Sequence, residues 1–403
     1  MSDPVPSLRL RRLAVPIYGP NLLIAVGMGA VVPLIALSAL DLGASVTQAA
    51  IIVGLIGFGQ LVGDLPAGSL VQRFGEKRVL LVACTVEAAA LLVASRTESL
   101  AVLSASVFVV GLTSAVFGLA RHAYLSEAVT LAFRARAMSL LGGTFRIGGF
   151  IGPFVGAFLI EQYSFEATYA FAAGTSLAGG LLSLALPELR AAGPTVAVPE
   201  KRSMWSVLVA HRRVLATLGA GVLFVMIARA SRTAIIPLWA AHQGLDATTT
   251  SLIFGVAAGV DMLLFYPGGA IMDRFGRMWV ALPAMLVMGA GFLLLPLSGT
   301  ALAIGSVACL MGLGNGISSG IVLTLGADVA PDEGRRQFLG GWRLCGDLGG
   351  IAGPGLISLV SLVFPLGAAA IALGLITWFG AAWLAKWVPV YDPAREPREK
   401  APV

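Results

Sequence analysis

Residues 267–277 read Pro-Gly-Gly-Ala-Ile-Met-Asp-Arg-Phe-Gly-Arg, and residues 66–76 read Pro-Ala-Gly-Ser-Leu-Val-Gln-Arg-Phe-Gly-Glu. The two stretches lie 201 positions apart, and the same offset relates Glu127 to Asp328 and Gly152-Pro153 to Gly353-Pro354. An offset held this long marks an internal repeat and predicts two structurally equivalent halves.

The solvent of those halves follows from composition. Of 403 residues, 57% are apolar and 12% charged, with a mean hydropathy of +0.89. Soluble domains carry about 25% charged residues, so lipid must cover most of this surface. That excludes a secreted enzyme, a nucleic-acid binder and a disordered scaffold. Cys84, Cys309 and Cys345 lie in apolar runs without metal-ligand spacing, and read as small packing residues rather than a disulfide or zinc framework.

A helix needs roughly 20 apolar residues to cross the hydrocarbon. Cutting the chain at its charged, Gly/Pro and Asn breaks predicts twelve transmembrane helices, near 13–40, 46–71, 77–95, 99–127, 136–160, 165–187, 213–241, 247–272, 277–297, 299–330, 336–362 and 366–388. The expected organisation is a six-helix bundle over 1–187, a polar linker over 188–212 with a short amphipathic helix near Trp205, a second six-helix bundle over 213–389, and a tail over 390–403. Each half has an even number of spans, so the repeats are parallel, related by an axis along the membrane normal.

Translocated loops exclude Lys and Arg. With the N-terminus inside, 21 of the 27 basic residues fall in inner segments, Arg96 alone falls outside, and Arg121, Arg146, Arg229, Arg232 and Arg343 lie within spans. This predicts a multi-pass protein of the plasma (inner) membrane with both termini cytoplasmic.

Against this plan, Gly269-x-x-x-Asp273-Arg274-x-Gly276-Arg277 resembles the signature loop of the major facilitator superfamily. Its first-half counterpart is Gly68-x-x-x-Gln72-Arg73-x-Gly75, followed by Glu76, Lys77 and Arg78. In the fifth span, Gly148-x-x-x-Gly152-Pro153-x-x-Gly156 resembles the antiporter motif of the twelve-helix drug-proton exporters in that superfamily. The resemblance covers essentially the whole chain. It implies the all-α facilitator fold, two pseudo-symmetric six-helix bundles, and a cytoplasmic gate loop that holds the outward-open state.

Two departures stand out. The first-half loop has Gln72 where the pattern has Asp, and Val107 replaces the Arg that those exporters carry four residues before a glycine of the fourth span, here Gly111.

Physically, Gly68 and Gly269 suit close backbone approach at helix ends, and Gly75 and Gly276 suit a tight turn. Asp273 beside Arg274 suits a latch on a basic group or a helix N-terminus; alternatively, the loop charges only enforce topology. Gly148, Gly152 and Gly156 make one smooth stripe, which serves either as an antiporter interface or as ordinary small-residue packing.

Charges within spans cost about 2.5–3.5 kcal/mol at a helix centre unless they are paired or face water. The proton-coupling candidates are Asp347, Asp64 and Asp261; the substrate-cavity candidates are Arg146, Arg229, Arg232 and Arg343. In the facilitator architecture Asp64 falls near Arg343 and Asp347, and Arg146 near Asp261. Glu87 reads as a local helix partner, Arg121 as a gate partner of Glu127, and the Trp378, Trp383, Lys386 and Trp387 group as an interfacial anchor.

These readings point to a proton-coupled secondary active transporter working by alternating access and exporting small amphiphilic organic compounds. The alternatives are proton-coupled transport of an organic anion and a non-transporting membrane receptor or scaffold. No phosphate loop is present. The expected partners are a small-molecule substrate, protons and membrane lipid, with no cofactor, no metal and no nucleic acid, and a functional monomer.

Overall fold

The computed structural model describes residues 14–129, 131–187 and 204–391, and among these every regular element is helical. The first half contains α1 (Gly19–Asp41), α2 (Val46–Phe74), α3 (Glu76–Arg96), α4 (Leu100–Ala128), α5 (Leu131–Gln162) and α6 (Phe165–Ser183). A short helix, α7 (Met204–Ala210), follows, with Trp205 exposed and Val207 buried as expected for an amphipathic segment. The second half contains α8 (Ala220–His242), α9 (Ala247–Phe275), α10 (Met278–Leu294), α11 (Ala301–Ile317), α12 (Ile321–Val329), α13 (Arg335–Ser361) and α14 (Leu366–Trp387). Linker residues 188–203, tail residues 392–403, and the basic residues Arg9, Arg11, Arg12, Arg190, Lys201, Arg202, Arg395, Arg398 and Lys400 lie outside the described residues.

The 201-residue offset governs the backbone closely. It carries α1 onto α8 and α2 onto α9 at both ends, and relates the π-helical turns Ala14–Tyr18 and Leu215–Gly219 that lead into the first helix of each half. It also relates two Schellman caps. Gly43 (φ 83°) bonds to the carbonyl of Leu40 and Ala44 to that of Ala39; Gly244 (φ 76°) bonds to Ala241 and Leu245 to Ala240. Both glycines adopt the left-handed conformation that such caps require.

Eleven helical segments among the described residues are long and apolar enough to cross a membrane. The sixth expected span forms α6, 19 residues long, but falls below that apolarity because it carries Glu166, Thr168, Tyr169, Thr175 and Ser176. All except Glu166 are buried, so this helix turns its polar groups toward protein.

The tenth expected span differs more. It divides into α11 and α12 at Ser318–Gly320, whereas its first-half equivalent, α4, runs unbroken through Phe117, Gly118 and Leu119. Gly312, Gly314 and Gly316 weaken the helix ahead of the break, and serine hydroxyls compete for its backbone groups.

By contact the chain divides into two compact units, Met1–Val196 with Ile236–Ala258, and Ala197–Ile235 with Gly259–Val403. In the first, α1 packs on α5 and α6, α2 on α4, and α3 on α4 and α6. A core including Leu80, Phe117, Tyr124, Leu125 and Leu141 fills the space between them. In the second, α10 packs on α11 and α14, around a core that includes Leu218, Met285, Ile321, Phe338 and Trp342.

Candidate functional site

The signature loops share a glycine turn in both halves, although the next helix starts directly at Glu76 in the first and one turn residue later, at Met278, in the second. Gly75 (φ 77°) and Gly276 (φ 96°) make the tight turns the sequence predicted, and the preceding arginines lie over the neighbouring rings, Arg73 over Phe74 and Arg274 over Phe275, each 5.3 Å from the centroid. The close approach expected at Gly68 and Gly269 is not made, because a Cβ at either position would meet open space. The tight contact falls one residue earlier, where Gly268 lies against the backbone of Ile317.

Asp273 is exposed at the end of α9. The strong ion pair near this loop is made instead by Arg277, whose Nε and Nη2 donate to the two carboxylate oxygens of Asp328 at 2.7 and 3.1 Å. This bidentate geometry is the strongest that an arginine offers a carboxylate. It ties the start of α10 to the end of α12. The equivalent positions in the first half are Glu76 and Glu127, two acids, so no matching pair can form there.

Deeper in the second unit, two arginines one turn apart on α8 serve different neighbours. Arg232, 8% exposed, places Nη1 3.6 Å from Oδ2 of Asp261 on α9, and the same oxygen accepts a hydrogen bond from Asn315 Nδ2 on α11. Arg229 Nη2 donates to the carbonyl of Ser318 at 2.6 Å and lies 3.0 Å from its hydroxyl. That carbonyl sits at the break between α11 and α12, and the guanidinium supplies a donor where the helix no longer does. Arg229 holds the break and Arg232 holds the carboxylate.

The first unit has a different set. Asn21, 1% exposed on α1, donates to the carbonyl of Leu141 at 2.9 Å and to Thr144 Oγ1 at 2.6 Å, while its amide oxygen accepts from Arg121 on α4. Arg121 also lies 5.4 Å from the Phe117 ring. This corrects the expected Arg121–Glu127 pair: Arg121 turns into the bundle, and Glu127 is exposed. Glu87 is likewise not a local partner on α3; it bonds across to α4 and α6.

The glycine stripe packs α5 onto α1. A Cβ on Gly148, Gly152 or Gly156 would sit within 3.0 Å of atoms of Ala25, Val26, Gly29 or Ala30, most of them backbone. Gly349 and Gly353 make the equivalent seam between α13 and α8, against Leu223 and Ile227. The motif therefore recurs in both halves except for its third glycine, which is Ile357 in the second. Pro153 sits inside α5 and Pro354 inside α13.

The remaining predicted residues occupy their expected helices, with Asp64 half-buried on α2, Arg146 half-buried on α5, and Arg343 and Asp347 one turn apart on α13; each is engaged. Lys77 and Arg78 open α3, and Gln72 is exposed at the end of α2. In the α14 group, Trp378 Nε1 donates to the carbonyl of Leu286 and Trp383 Nε1 to that of Thr217, so these indoles fix neighbouring segments. The residues that sequence reasoning missed are Asn21, Asn315 and Ser318. An asparagine within an otherwise apolar span was the available signal, since an amide there requires partners.

The sequence matches the family profile described as Major Facilitator Superfamily over residues 21–354. Multidrug resistance protein MdtH of Yersinia pestis (strain Pestoides F) is 27% identical over 350 residues, covering 83% of this chain and 82% of that protein. MdtH of Yersinia pseudotuberculosis serotype O:1b (strain IP 31758) matches to the same extent. Among solved structures, a D-xylose-proton symporter superposes with a TM-score of 0.76 at 13% identity, over 95% of this chain and 98% of that one. A POT family transporter in complex with thioalcohol conjugated peptide gives 0.76 at 13%, over 94% and 96%. At such identities the structures speak to the fold alone, and the profile match carries the assignment: this chain, a multi-pass membrane transporter rather than an enzyme, belongs to the Major Facilitator Superfamily.

Proposed function

We propose that this transporter is a proton-coupled secondary active carrier that works by alternating access and exports small amphiphilic organic compounds. It has twelve membrane helices in two bundles, residues 1–187 and 213–389, sits in the plasma (inner) membrane with both termini cytoplasmic, and acts as a monomer. The multidrug-resistance name of the relatives supports the substrate class. The observation that carries proton coupling is the cluster of Arg232, Asp261 and Asn315. The Asp261 carboxylate lies 3.6 Å from the Arg232 guanidinium and accepts a hydrogen bond from Asn315, partners drawn from two other helices. A change of state that separates Arg232 from Asp261 gives the carboxylate reason to take up a proton, and their return releases it.

Asp347 and Asp64 remain candidates for the same role, with Arg146 and Arg343 as cavity cations. Arg229 and Arg232 are committed to Ser318 and Asp261, which favours export of amphiphiles over binding of an organic anion by those two residues.

Purified protein in liposomes tests the reading. Asp261→Asn should abolish transport driven by a pH gradient and preserve substrate exchange across the same membrane. If both activities survive, coupling does not lie at Asp261 and passes to Asp347 or Asp64. If the wild type ignores the pH gradient, the proton-coupled reading fails.

A further inference from the structure

The mechanism above leaves one buried acid unused. Glu87 lies on α3 at 2% exposure, and among the described residues no cation forms an ion pair with it. Ser176 Oγ on α6 donates to its Oε1 at 2.7 Å, and Thr113 Oγ1 on α4 lies 3.3 Å from its Oε2. Thr113 Oγ1 also lies 3.0 Å from the carbonyls of Val109 and Val110.

A threonine hydroxyl has one proton and two lone pairs. It cannot donate to the carboxylate and to a backbone carbonyl together. When Glu87 is ionised, Thr113 turns its proton to Oε2. When Glu87 is neutral, Thr113 gives its proton to a carbonyl of its own helix and accepts the carboxyl proton instead. Both states are hydrogen-bonded, and no heavy atom has to move between them.

The repeat shows that the fold does not demand this site. The positions equivalent to Glu87 and Thr113 are Met288 and Gly314, although Thr377 matches Ser176. The same asymmetry continues toward the helix ends at Asp41 and Arg96, where a cavity of about 480 Å³ opens into the first unit. Its floor is polar and buried: Tyr169 donates to Ser38 Oγ at 3.1 Å, and Ser95 lies on α3 two turns from Glu87. The second-half equivalents of Tyr169, Ser38 and Ser95 are Ala370, Trp239 and Pro296. Along the helices, buried Leu91 on α3 and buried Ala172 and Ala173 on α6 come between the residues of the floor and those that hold Glu87.

The titratable groups and hydroxyls around Glu87 are few. Cys84 is one turn away on α3; α4 presents Thr113 and Ser114, with Arg121 eight residues beyond Thr113; α6 presents Ser176, with Tyr169 and Glu166 toward the cavity; α1 carries only Asp41, at its end.

We infer that Glu87 is a second proton-binding carboxyl, enclosed within the first unit and exchanging its proton with water in the cavity beside Tyr169 and Ser95. In the uptake step a proton from cavity water adds to Oε2, the carboxylate becomes neutral, and the Thr113 hydroxyl rotates to the Val109 or Val110 carbonyl. Release reverses each part, and no other bond breaks. The site rests on the proton-coupled reading only for its consequence in transport, so protonation is tested apart from flux.

Difference infrared spectra of the purified full-length protein, recorded through a pH titration and after transfer to heavy water, decide it. The wild type should show a protonated-carboxyl band that grows on acidification and is missing in Glu87→Gln. If that variant does not fold, Glu87→Asp should move the band. Tyr169→Phe should keep the band and slow its deuterium shift several-fold. A band that ignores pH, or one that persists in Glu87→Gln, overturns the site; an unchanged exchange rate in Tyr169→Phe overturns the route. A wild type that lacks proton-driven flux but shows the titrating band would defeat the coupling reading and leave Glu87 standing.

Discussion

Helix α4 and the pair α11 and α12 occupy the same register in the two halves, yet one is continuous and the other breaks at Ser318–Gly320. Around the continuous helix Asn21, Arg121 and Glu87 are interior polar groups, buried or half-buried; around the broken one Arg229, Arg232, Asp261 and Asn315 are. At 201 residues' remove these positions become Val222, Val322 and Met288 in one direction, and Met28, Val31, Gln60 and Ser114 in the other. The repeat preserves caps, turns and glycine seams. Buried charge is placed anew in each half, because a backbone contact constrains both copies equally, whereas a charge needs only one set of partners.

The largest expected effect tests the shared part. Gly152→Val and Gly353→Val should both destabilise the protein by about 1–3 kcal/mol or more, through overpacking against α1 and α8. Thermal unfolding in detergent measures this, with Gly142→Ala, which would meet open space, as the silent control. A seam that tolerates valine in one half only would mean the glycines are not equivalent.

Next comes the break. Arg229→Met installs the residue that the first half carries at Met28 and strips the donor from the Ser318 carbonyl. A loss of about 1–3 kcal/mol is expected for the unsatisfied group. If Ser318, Ser319 and Gly320 are also replaced by Phe, Gly and Leu, the first-half sequence, most of that loss should return. No recovery would show that the break does not depend on those three residues.

A smaller effect concerns the loop ion pair. Glu76→Arg places in the first half the cation that Arg277 provides in the second, opposite Glu127 in place of Asp328. Near the surface a gain of up to about 1 kcal/mol is expected. A loss would show that the two helix ends do not approach as their counterparts do.

The smallest effect lies in the caps. Ser45 caps α2 through a capping box with Gln48, and its equivalent Asp246 caps α9 by accepting from the Thr249 amide at 2.8 Å. Replacement by alanine should cost about 0.5–2 kcal/mol at either site. Only Asp246 should make that cost depend on pH. The Thr249 amide holds its carboxyl below the usual aspartate range, so its contribution is complete above the ordinary value and fades as pH falls through the lowered one. Unfolding of wild type and Asp246→Ala should therefore converge in acid, while the gap for Ser45→Ala stays constant.

What the sequence disclosed divides along the same line. Pro66, Arg73-Phe74-Gly75 and Gly152-Pro153 revealed the repeat because the residues that shape backbone are few in kind and tolerate little exchange. The break at Ser318 passed unread, since Ser-Ser-Gly inside a long apolar run leaves its hydropathy nearly intact. Asn21 lies silent inside the first expected span although it is an interior hydrogen-bonding centre, and Glu87, expected to pair on its own helix, finds its partners on two others. Periodicity along one helix says which face a side chain shares. It does not say which other helix lies opposite.

Each half winds one π-helical turn before its first spanning helix, over Ala-Val-Pro-Ile-Tyr at 14–18 and Leu-Ala-Thr-Leu-Gly at 215–219, with no equivalent position identical. Such a turn accommodates one residue more than an α-turn would, and so acts as a phase shifter. An α-helix advances about 100° per residue. The extra residue near Thr217 therefore sets the angle at which α8 presents everything beyond it, Arg229 and Arg232 included, relative to the segment at Arg212. Straightening that turn into regular α-helix, with its residue kept, would carry every side chain of α8 about 1.5 Å along the axis and swing all of them by about 100°, parting the two arginines from Ser318 and Asp261 without altering either.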